Sequence, residues 1–411
     1  MSIELHYQVN TNPISLIASW LIEQGLEGAS QEELLEGYCA KLLSAGIPIQ
    51  RVHVAQRAVH PEFGGIGFDW LKGGEVARAQ YAHVSLPPEE FLKSPLYYLL
   101  EQNISEMRER LPNHNEPHRF PFLDELRSKG ATEYFAMKLS FAKPAKTLAV
   151  DPNNTPEGLV ISWTSDAVDG FSEANICDLR KLLSSLGLAL KSTSNRRTAN
   201  DLVAVYLGAD AGKRVLSGDI QRGSFETIHA VIWYFDLHGF TKLSESNPGP
   251  SIIAMLNDYF EEVVSVVEQH GGNVLKFMGD GILAIFDYRA KTNPVESAIE
   301  AAITLRQSII ELNHRRESDG KTTTGFSLAL HEGDVLYGNI GSSNRLDFTV
   351  IGPAVNTTAR ILSMCGQLES DLTISAKVGQ SITARRKNLV SLGRYKLRGV
   401  SEPQELFTLH L

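Results

Sequence analysis

The sequence is poor in cysteine, with only Cys39, Cys177 and Cys365 among its 411 residues. They are odd in number and far apart, and no Cys-x-x-Cys pair occurs. We therefore expect neither a disulfide framework nor a cysteine metal site. Free thiols are typical of a reducing compartment. The sequence therefore predicts a cytoplasmic protein.

Long apolar runs are also missing. The longest candidate, residues 14–22, is interrupted by serines, whereas a membrane-spanning helix needs ~20 consecutive apolar residues. The first four residues, Met-Ser-Ile-Glu, carry no basic charge ahead of an apolar segment, so no signal peptide is expected. We predict no membrane span.

Basic residues are in the minority, with 39 Lys and Arg against 48 Asp and Glu and a net charge of −9. Nucleic-acid-binding surfaces are usually basic, so no nucleic-acid partner is predicted. Hydrophobic residues make up 43% and charged residues 21%, as in ordinary globular proteins. A chain of this length is expected to form two or three domains.

Three regions differ in their sequence patterns, and together they predict an α+β protein. Residues 1–195 mix helix-like and strand-like stretches and are expected to form a regulatory domain. Residues 196–227 combine polar, turn-rich and apolar positions, which favours an interrupted helical linker over a flexible tether. Residues 228–411 carry the sharpest motifs and are expected to carry the chemistry.

Periodicity predicts the main elements. The first region is expected to contain helices within 17–43, strands at 50–55, 133–139 and 158–163, and a helix that Ser172 caps and that extends through Leu188. In the last region we predict strands at 229–235, 274–278, 282–286, 325–330, 348–351, 372–375 and 406–409, and helices at 252–270, 294–312 and 356–364.

Two carboxylates lie at chemically suggestive points of the last region. Asp236 follows an apolar strand, and Asp280 lies in a Gly-Asp-Gly hairpin turn. Brought together, such carboxylates make a site for a hard cation, since Mg²⁺ takes one or two carboxylates plus substrate phosphates. Aspartate is also common in turns for backbone reasons alone. Residues 237–241 form a turn that opens a helix and can aim backbone N–H groups at phosphate.

Three segments carry a family resemblance. Phe-Asp-Leu-His-Gly-Phe-Thr at 235–241, Lys-Phe-Met-Gly-Asp-Gly at 276–281 and Phe-Thr-Val-Ile-Gly-Pro-Ala-Val-Asn-Thr-Thr-Ala-Arg at 348–360 resemble the motifs of class III nucleotidyl cyclase catalytic domains. They occur in the family's order, and the resemblance covers residues 228–411. It implies a ferredoxin-like βαββαβ fold for this domain.

The resemblance also implies a divalent-metal site. Asp236, Asp280 and the backbone carbonyl of Leu237 would hold two ions, Mg²⁺ or Mn²⁺, in each active site. The ions would clamp the triphosphate of ATP while the ribose 3′-hydroxyl attacks and pyrophosphate leaves. The following turn would contribute to substrate binding through Gly239, Phe240 and Thr241.

A second set of residues would act on the phosphates. Asn356 and Arg360 are four residues apart, which places both on one face of a helix. In the family such a pair orients the ribose and stabilises charge on the transferred phosphoryl group. Without the motif, Arg360 would be interpreted as a solvated surface arginine. Arg398 matches a position where many relatives carry a triphosphate-binding lysine, and Lys396 is a nearby alternative.

Lys276 and Thr349 match the positions that read the purine in the family. Adenine offers an acceptor at N1 and a donor at N6, which a donor-only lysine and an accepting threonine complement. Guanine reverses this polarity and would favour a carboxylate in place of Lys276. The resemblance therefore implies an adenylate cyclase with ATP as substrate.

The family's sites are shared between two subunits, so a homodimer is implied. Two alternatives remain open at this stage, namely a catalytically silent nucleotide-binding signalling module and a guanylate cyclase. A diguanylate cyclase is disfavoured because Gly271-Gly272 is followed by Asn-Val and not by an acidic pair.

Residues 1–195 resemble a GAF-like sensor domain with an α/β fold. The resemblance rests on the strand at 159–163, the segment Gly-Phe-Ser-Glu-Ala-Asn-Ile at 170–176 and the helix that follows it. It implies an input from a small molecule or a protein, whose identity the residues do not reveal.

Overall fold

A computed structural model describes residues 12–83, 87–111, 117–141, 157–290, 292–384 and 388–410. The chain separates into two compact units, residues 1–202 and 203–411. Both combine helices and sheets, which confirms the α+β class. Within the described ranges, no helix is both long enough and apolar enough to cross a membrane.

The first unit is built on one six-stranded sheet. Its order is β3-β2-β1-β6-β5-β4, with strands β1 Ile49–Arg57, β2 Phe63–Leu71, β3 Ala77–Ala82, β4 Glu106–Arg110, β5 Glu133–Ser140 and β6 Gly158–Ser165. Its helices are α1 Pro13–Glu27, α2 Gln31–Ser44, α3 Glu89–Leu92, α4 Pro95–Glu101, α5 Pro121–Ser128 and α6 Glu173–Leu207.

Helices cover both faces of this sheet. The larger apolar cluster packs α1, α2 and α6 against the strands around the fully buried Trp163. The smaller cluster packs α4 and α5 against the other face around Leu99 and Leu123. The sequence predicted β1, β5 and β6 but not the exposed β3, because a strand without buried positions has no alternating apolar pattern.

Helix α6 begins where the sequence predicts it. The Ser172 hydroxyl accepts from the Asn175 amide at 3.2 Å, and the Asn175 side chain accepts from the Ser172 amide at 3.1 Å. This reciprocal cap satisfies two N–H groups at the helix start. The helix was expected to extend through Leu188 but continues to Leu207, because the polar residues after 190 are compatible with a solvent-exposed helix.

A buried carboxylate fastens the start of α6 to the sheet. Glu133 has no exposed surface, and its Oε1 accepts from Arg108 Nε at 2.6 Å while its Oε2 accepts from the Phe171 amide at 2.5 Å. Arg108 also donates to the Phe171 carbonyl at 2.6 Å. The charge of Glu133 is therefore paired and hydrogen-bonded, as a buried carboxylate must be.

Replacing Glu133 by Gln is expected to destabilise the first unit by about 3 kcal/mol, since it leaves Arg108 without its buried partner. Chemical denaturation followed by circular dichroism measures the change. Glu106→Gln is the matched control, because it removes an exposed arginine pair at 2.6 Å from Arg180 and should cost less than about 1 kcal/mol. Equal losses of stability in both variants would contradict the role of Glu133 in fastening α6 to the sheet.

The second unit is built on an eight-stranded sheet. Along the sheet the order is β13-β14-β12-β10-β7-β9-β8, with β11 paired to β10. The strands are β7 Phe225–Leu237, β8 Asn273–Met278, β9 Gly281–Asp287, β10 Phe326–Gly341, β11 Leu346–Ile351, β12 Leu372–Ser375, β13 Leu389–Tyr395 and β14 Gln404–Leu409. Its helices are α7 Ala209–Leu216, α8 Phe240–Ser246, α9 Gly249–Gln269, α10 Pro294–Ser318, α11 Pro353–Leu362 and α12 Ala376–Ser381.

The two faces of this sheet differ in their cover. On one face α9 and α10 pack over a large core that includes Trp233, Phe235 and Tyr259. On the other, a smaller cluster around Tyr337 and Phe348 is covered by α7 and α11. The side chains of β7 alternate between these faces, so Asp236 lies on the same face as Tyr234 and opposite Phe235.

Every element predicted for this region is present, with shifted ends. Strand β10 was expected at 325–330 but continues to Gly341, because Glu332 and Asp334 occupy the more exposed positions of an alternating strand. Helix α11 begins at Pro353 and ends at Leu362, where 356–364 was predicted. A proline at the first helical position is favourable.

Candidate functional site

Asp236 and Asp280 meet at one end of the central strands. Asp236 lies one residue before the end of β7, and its partner on β9 is Gly281, the residue after Asp280. A Cβ at Gly281 would lie 3.1 Å from Asp236 Oδ1, so the glycine leaves room beside that carboxylate. Burial and the negative charge of Asp280 raise the pKa of Asp236 to about 6.

This raised pKa bears on whether a metal fits. No positively charged group of the described residues contributes to the shift in the pKa of Asp236. The carboxylates of Asp236 and Asp280 therefore form a local concentration of negative charge. Hard divalent ions take such carboxylates together with backbone carbonyl and phosphate oxygens. The Leu237 side chain is a buried hydrocarbon without a donor atom, so only its backbone oxygen can contribute. The donor set fits Mg²⁺ or Mn²⁺.

The described residues contain no group of three or more His, Cys, Asp or Glu arranged to hold a metal. Two carboxylates and a carbonyl leave a metal ion incompletely coordinated by protein. Open positions of this kind suit an ion that also binds substrate phosphates.

The turn after β7 has the geometry that the sequence suggests. Gly239 adopts φ 61° and precedes the first residue of α8, a conformation that favours glycine. Phe240 packs against the main core, while Thr241 is exposed. His238 bonds Ser327 Oγ through Nε2 at 2.8 Å, which fixes the turn to β10.

Lys276 lies on β8 and Thr349 on β11. These strands are not paired in the sheet, but they approach each other. The Lys276 ammonium contacts the Asp347 carboxylate. Asp347 and Thr349 are two apart on β11 and therefore point to the same side of the strand. Asp347 therefore holds the Lys276 ammonium near the side of β11 that carries Thr349. Sequence reasoning missed Asp347. The two-residue spacing from Thr349 was the available signal.

Thr349 is deeply buried, with 6% of its surface exposed. Its hydroxyl oxygen has no hydrogen-bond partner among the residues that the structure describes. A buried hydroxyl normally finds a partner. A ligand could supply the missing hydrogen bond.

Asn356 and Arg360 both lie on α11 and are exposed to solvent. The other face of the helix packs on the sheet: Ala354 and Thr358 are buried, and the Thr358 hydroxyl donates to the Ala354 carbonyl at 2.9 Å. The helix therefore presents Asn356 and Arg360 on its outer surface, where a second molecule can reach them.

Arg398 is not brought together with the other residues. It is exposed in the turn after β13, and β13 is the edge strand opposite β8, which carries Lys276. Lys396 is exposed in the same stretch. Geometry within one chain does not distinguish the two cations.

Asp236 and Thr349 lie far apart along the same central strand. Asp236 pairs with Ser327 of β10, whereas Thr349 pairs with Gly338 of the same strand. Eleven residues of strand between these positions correspond to about 36 Å of contour. The carboxylate group and Thr349 are therefore at opposite ends of β10.

Comparisons with known proteins find similarity in the region that carries these residues. The family model for the adenylate and guanylate cyclase catalytic domain matches residues 224–411. The adenylate cyclase of Anabaena cylindrica is 31% identical over 169 residues, which is 40% of this chain and 33% of that protein. The chain thus spans about a third of the length of this relative.

Two solved structures are similar to the second half of the chain. The adenylyl cyclase CyaB from P. aeruginosa is 23% identical, with a TM-score of 0.42, and the match covers 46% of this chain and 96% of that one. The guanylyl cyclase Cya2 is 27% identical, with a TM-score of 0.41 and coverage of 45% and 93%. Residues 224–411 are therefore similar to an adenylate and guanylate cyclase catalytic domain.

Proposed function

We propose that the chain is an adenylate cyclase that converts ATP to 3′,5′-cyclic AMP and pyrophosphate. The observation that carries the proposal is the meeting of Asp236 and Asp280 at one end of the sheet, far along β10 from Thr349, in a region that matches the cyclase domain. In the reaction the ribose 3′-oxygen forms a bond to the α-phosphorus. The bond from this phosphorus to the β-phosphate bridging oxygen breaks, and the hydroxyl proton is released.

Asp236, Asp280 and the Leu237 carbonyl are proposed to hold two divalent ions. When bound, such ions lower the pKa of the attacking hydroxyl and offset the charge on the leaving pyrophosphate. Gly239, Phe240 and Thr241 would place backbone N–H groups near the phosphates. Burial and the negative charge of Asp280 raise the pKa of Asp236 to about 6, which supports this assignment, because divalent cations would relieve the repulsion between the two carboxylates.

Mn²⁺ is expected to raise the thermal midpoint of the wild type by several degrees, since binding at about 100 times Kd contributes ~2.7 kcal/mol. Asp280→Asn should abolish this shift. Without metal at pH 7 the variant should be slightly more stable, because Asp236 loses a like-charged neighbour. This gain should shrink at pH 5, where Asp236 is largely protonated and no longer repelled.

Differential scanning fluorimetry with Mn²⁺ or with a chelator measures both effects. Asp319→Asn is the control, because Asp319 is an exposed carboxylate paired with Lys321 at 3.0 Å. It should retain the full Mn²⁺ shift. A full shift in Asp280→Asn would remove Asp280 from the metal site.

Lys276 and Thr349 are proposed to read adenine. Lys276 would donate to N1, and the Thr349 oxygen would accept from the N6 amino group. The unpaired Thr349 hydroxyl supports this role. In the nucleotide-free chain Asp347 holds Lys276, so binding would exchange the carboxylate for the base.

Arg360 and Asn356 are proposed to act on the transferred phosphoryl group and the ribose. The guanidinium is permanently charged and can bond two phosphate oxygens at once. Its exposure on α11 supports a role toward a ligand. Arg398 is proposed to bind the triphosphate, with Lys396 as the alternative.

A homodimer would complete the site. Asp236 and Asp280 would come from one subunit, and Lys276, Thr349, Asn356 and Arg360 from the other. The separation of Asp236 from Thr349 along β10 supports this arrangement, since the two residues of one chain would have to reach opposite ends of ATP. Two chains related by a two-fold axis would form two equivalent sites.

The first unit is proposed to be a GAF-like sensor that acts on the catalytic domain through residues 196–227. Its six-stranded sheet with helices on both faces supports the fold assignment. In the second unit, the order β7-α9-β8-β9-α10-β10, with the strands arranged β10-β7-β9-β8, supports a ferredoxin-like βαββαβ core. A cytoplasmic location is proposed from the free cysteines.

Product analysis tests the function. The purified full chain is incubated with Mn²⁺ and either ATP or GTP, and cyclic nucleotides are separated by chromatography. We expect cyclic AMP to form faster than cyclic GMP. Faster cyclic GMP formation would favour a guanylate cyclase, and no product over a wide protein concentration range would favour a silent nucleotide-binding module.

A further inference from the structure

Helix α7 lies against the strands that carry the proposed base-reading residues. Ala211 of α7 is 3% exposed and belongs to the same apolar cluster as Tyr337 and Phe348. Gly208, just before α7, has φ 83°, and a Cβ there would lie 2.9 Å from the Val274 carbonyl oxygen of β8. The chain can approach β8 this closely because residue 208 is glycine.

Tyr337 connects α7 to β11. Its side chain is almost fully buried, with 1% exposed, and its hydroxyl donates to Asp210 Oδ2 of α7 at 2.7 Å. The Tyr337 ring meets the Phe348 ring edge-on, with centroids 4.7 Å apart at 86°. Phe348 directly precedes Thr349, so the position of α7 constrains the backbone that carries Thr349.

Arg214 joins the same contacts from the next turn of α7. Its Nε donates to Asp210 Oδ2 at 3.1 Å. Its guanidinium lies 5.1 Å from the centre of the Tyr337 ring and 5.8 Å from that of Phe348, both within the range of cation–π attraction. Asp210 therefore accepts hydrogen bonds from both Arg214 and Tyr337, and each of these side chains contacts the Phe348 ring.

Strand β8 also contacts this cluster. The side-chain amide of Asn273 donates through Nδ2 to the Tyr337 hydroxyl at 3.4 Å. Asn273 begins β8, the strand of Lys276. Tyr337 thus contacts β8 by its hydroxyl and β11 by its ring.

We propose that Asp210, Arg214 and Tyr337 form a positioning network that sets the separation of β8 and β11, and with it the fit of the purine between Lys276 and Thr349. The inference rests on the proposed function. None of the three residues contacts substrate in this scheme. They act through Phe348 and Asn273, so their loss should impair nucleotide recognition more than the chemical step.

Tyr337→Phe isolates the hydrogen bond, because it keeps the ring that packs on Phe348. We expect KM for ATP to rise about fivefold, the size expected for the loss of one hydrogen bond, with kcat changed by less than about twofold. Amide hydrogen exchange in residues 346–351, followed by mass spectrometry without nucleotide, should become faster.

Tyr288→Phe is the matched control. The Tyr288 hydroxyl donates to Glu332 Oε2 at the same distance of 2.7 Å, but it lies after β9, away from β11. This variant should leave KM and the exchange of residues 346–351 unchanged. Asp210→Asn, whose side-chain oxygen can still accept from Tyr337, should keep KM closer to wild type than Tyr337→Phe does.

The outcomes separate the two proposals. A wild type that forms no cyclic nucleotide from ATP or GTP overturns the proposed function. An active wild type whose Tyr337→Phe variant matches Tyr288→Phe in KM overturns the positioning role alone. A fall in kcat at unchanged KM also overturns it, because that result would place the network in the chemical step.

Discussion

Asp236→Ala and Arg360→Ala proteins are each expected to be inactive, and their equimolar mixture is expected to recover about one quarter of the wild-type rate. Half of the randomly formed dimers would contain one subunit of each kind. In such a dimer the carboxylates of one subunit and the arginine of the other complete one of the two sites. The recovered rate is measured as cyclic AMP formation after subunit exchange.

The control mixture pairs Asp236→Ala with Asp280→Ala. Both residues belong to the carboxylate group at the end of β7 and β9, so no combination of these subunits restores an intact metal site. This mixture should stay inactive. If the first mixture also stays inactive while exchange is verified with differently tagged subunits, the shared-site arrangement is wrong.

Lys276→Glu combined with Asp347→Asn is expected to shift the nucleotide preference from ATP toward GTP by at least about 100-fold, measured as the ratio of the two kcat/KM values. A carboxylate at 276 can accept from N1–H of guanine but repels N1 of adenine. The second substitution is needed because Lys276 and Asp347 are in contact, and the single variant would place two carboxylates side by side.

The single variant Lys276→Glu therefore has its own expected behaviour. ATP selectivity should weaken, but without an efficient gain of GTP turnover, because Asp347 repels the new carboxylate. Lys321→Glu is the control, since it changes another lysine that pairs with an aspartate but lies outside the site. Unchanged ATP kinetics in Lys276→Glu would remove this residue from base recognition.

Sequence reasoning located the elements of the second unit because their patterns are strong. The apolar run before Asp236 and the Gly-Asp-Gly turn fix β7, β9 and the connection between β8 and β9. Those features also bring Asp236 and Asp280 to the same end of the sheet. The roles of these residues stay proposals, since contact geometry does not itself demonstrate catalysis.

Other features lay beyond the reach of sequence patterns. The contact between Lys276 and Asp347 joins residues on separate strands, and no local periodicity encodes such a pairing. The packing of Tyr337 on α7 depends on how residues 208–224 fold back onto β8 and β10. The sequence showed this segment only as an interrupted linker, because short helices with few apolar positions give weak signals.

The packing of α7 also matters for how the catalytic part could be separated from the rest of the chain. The second compact unit begins at Val203, and Ala211 fills a place in the apolar cluster beneath Ile228, Val335 and Tyr337. A fragment starting at residue 228 would leave these side chains facing water. Such a patch favours self-association. A soluble fragment of the second unit therefore has to include α7, which covers these side chains.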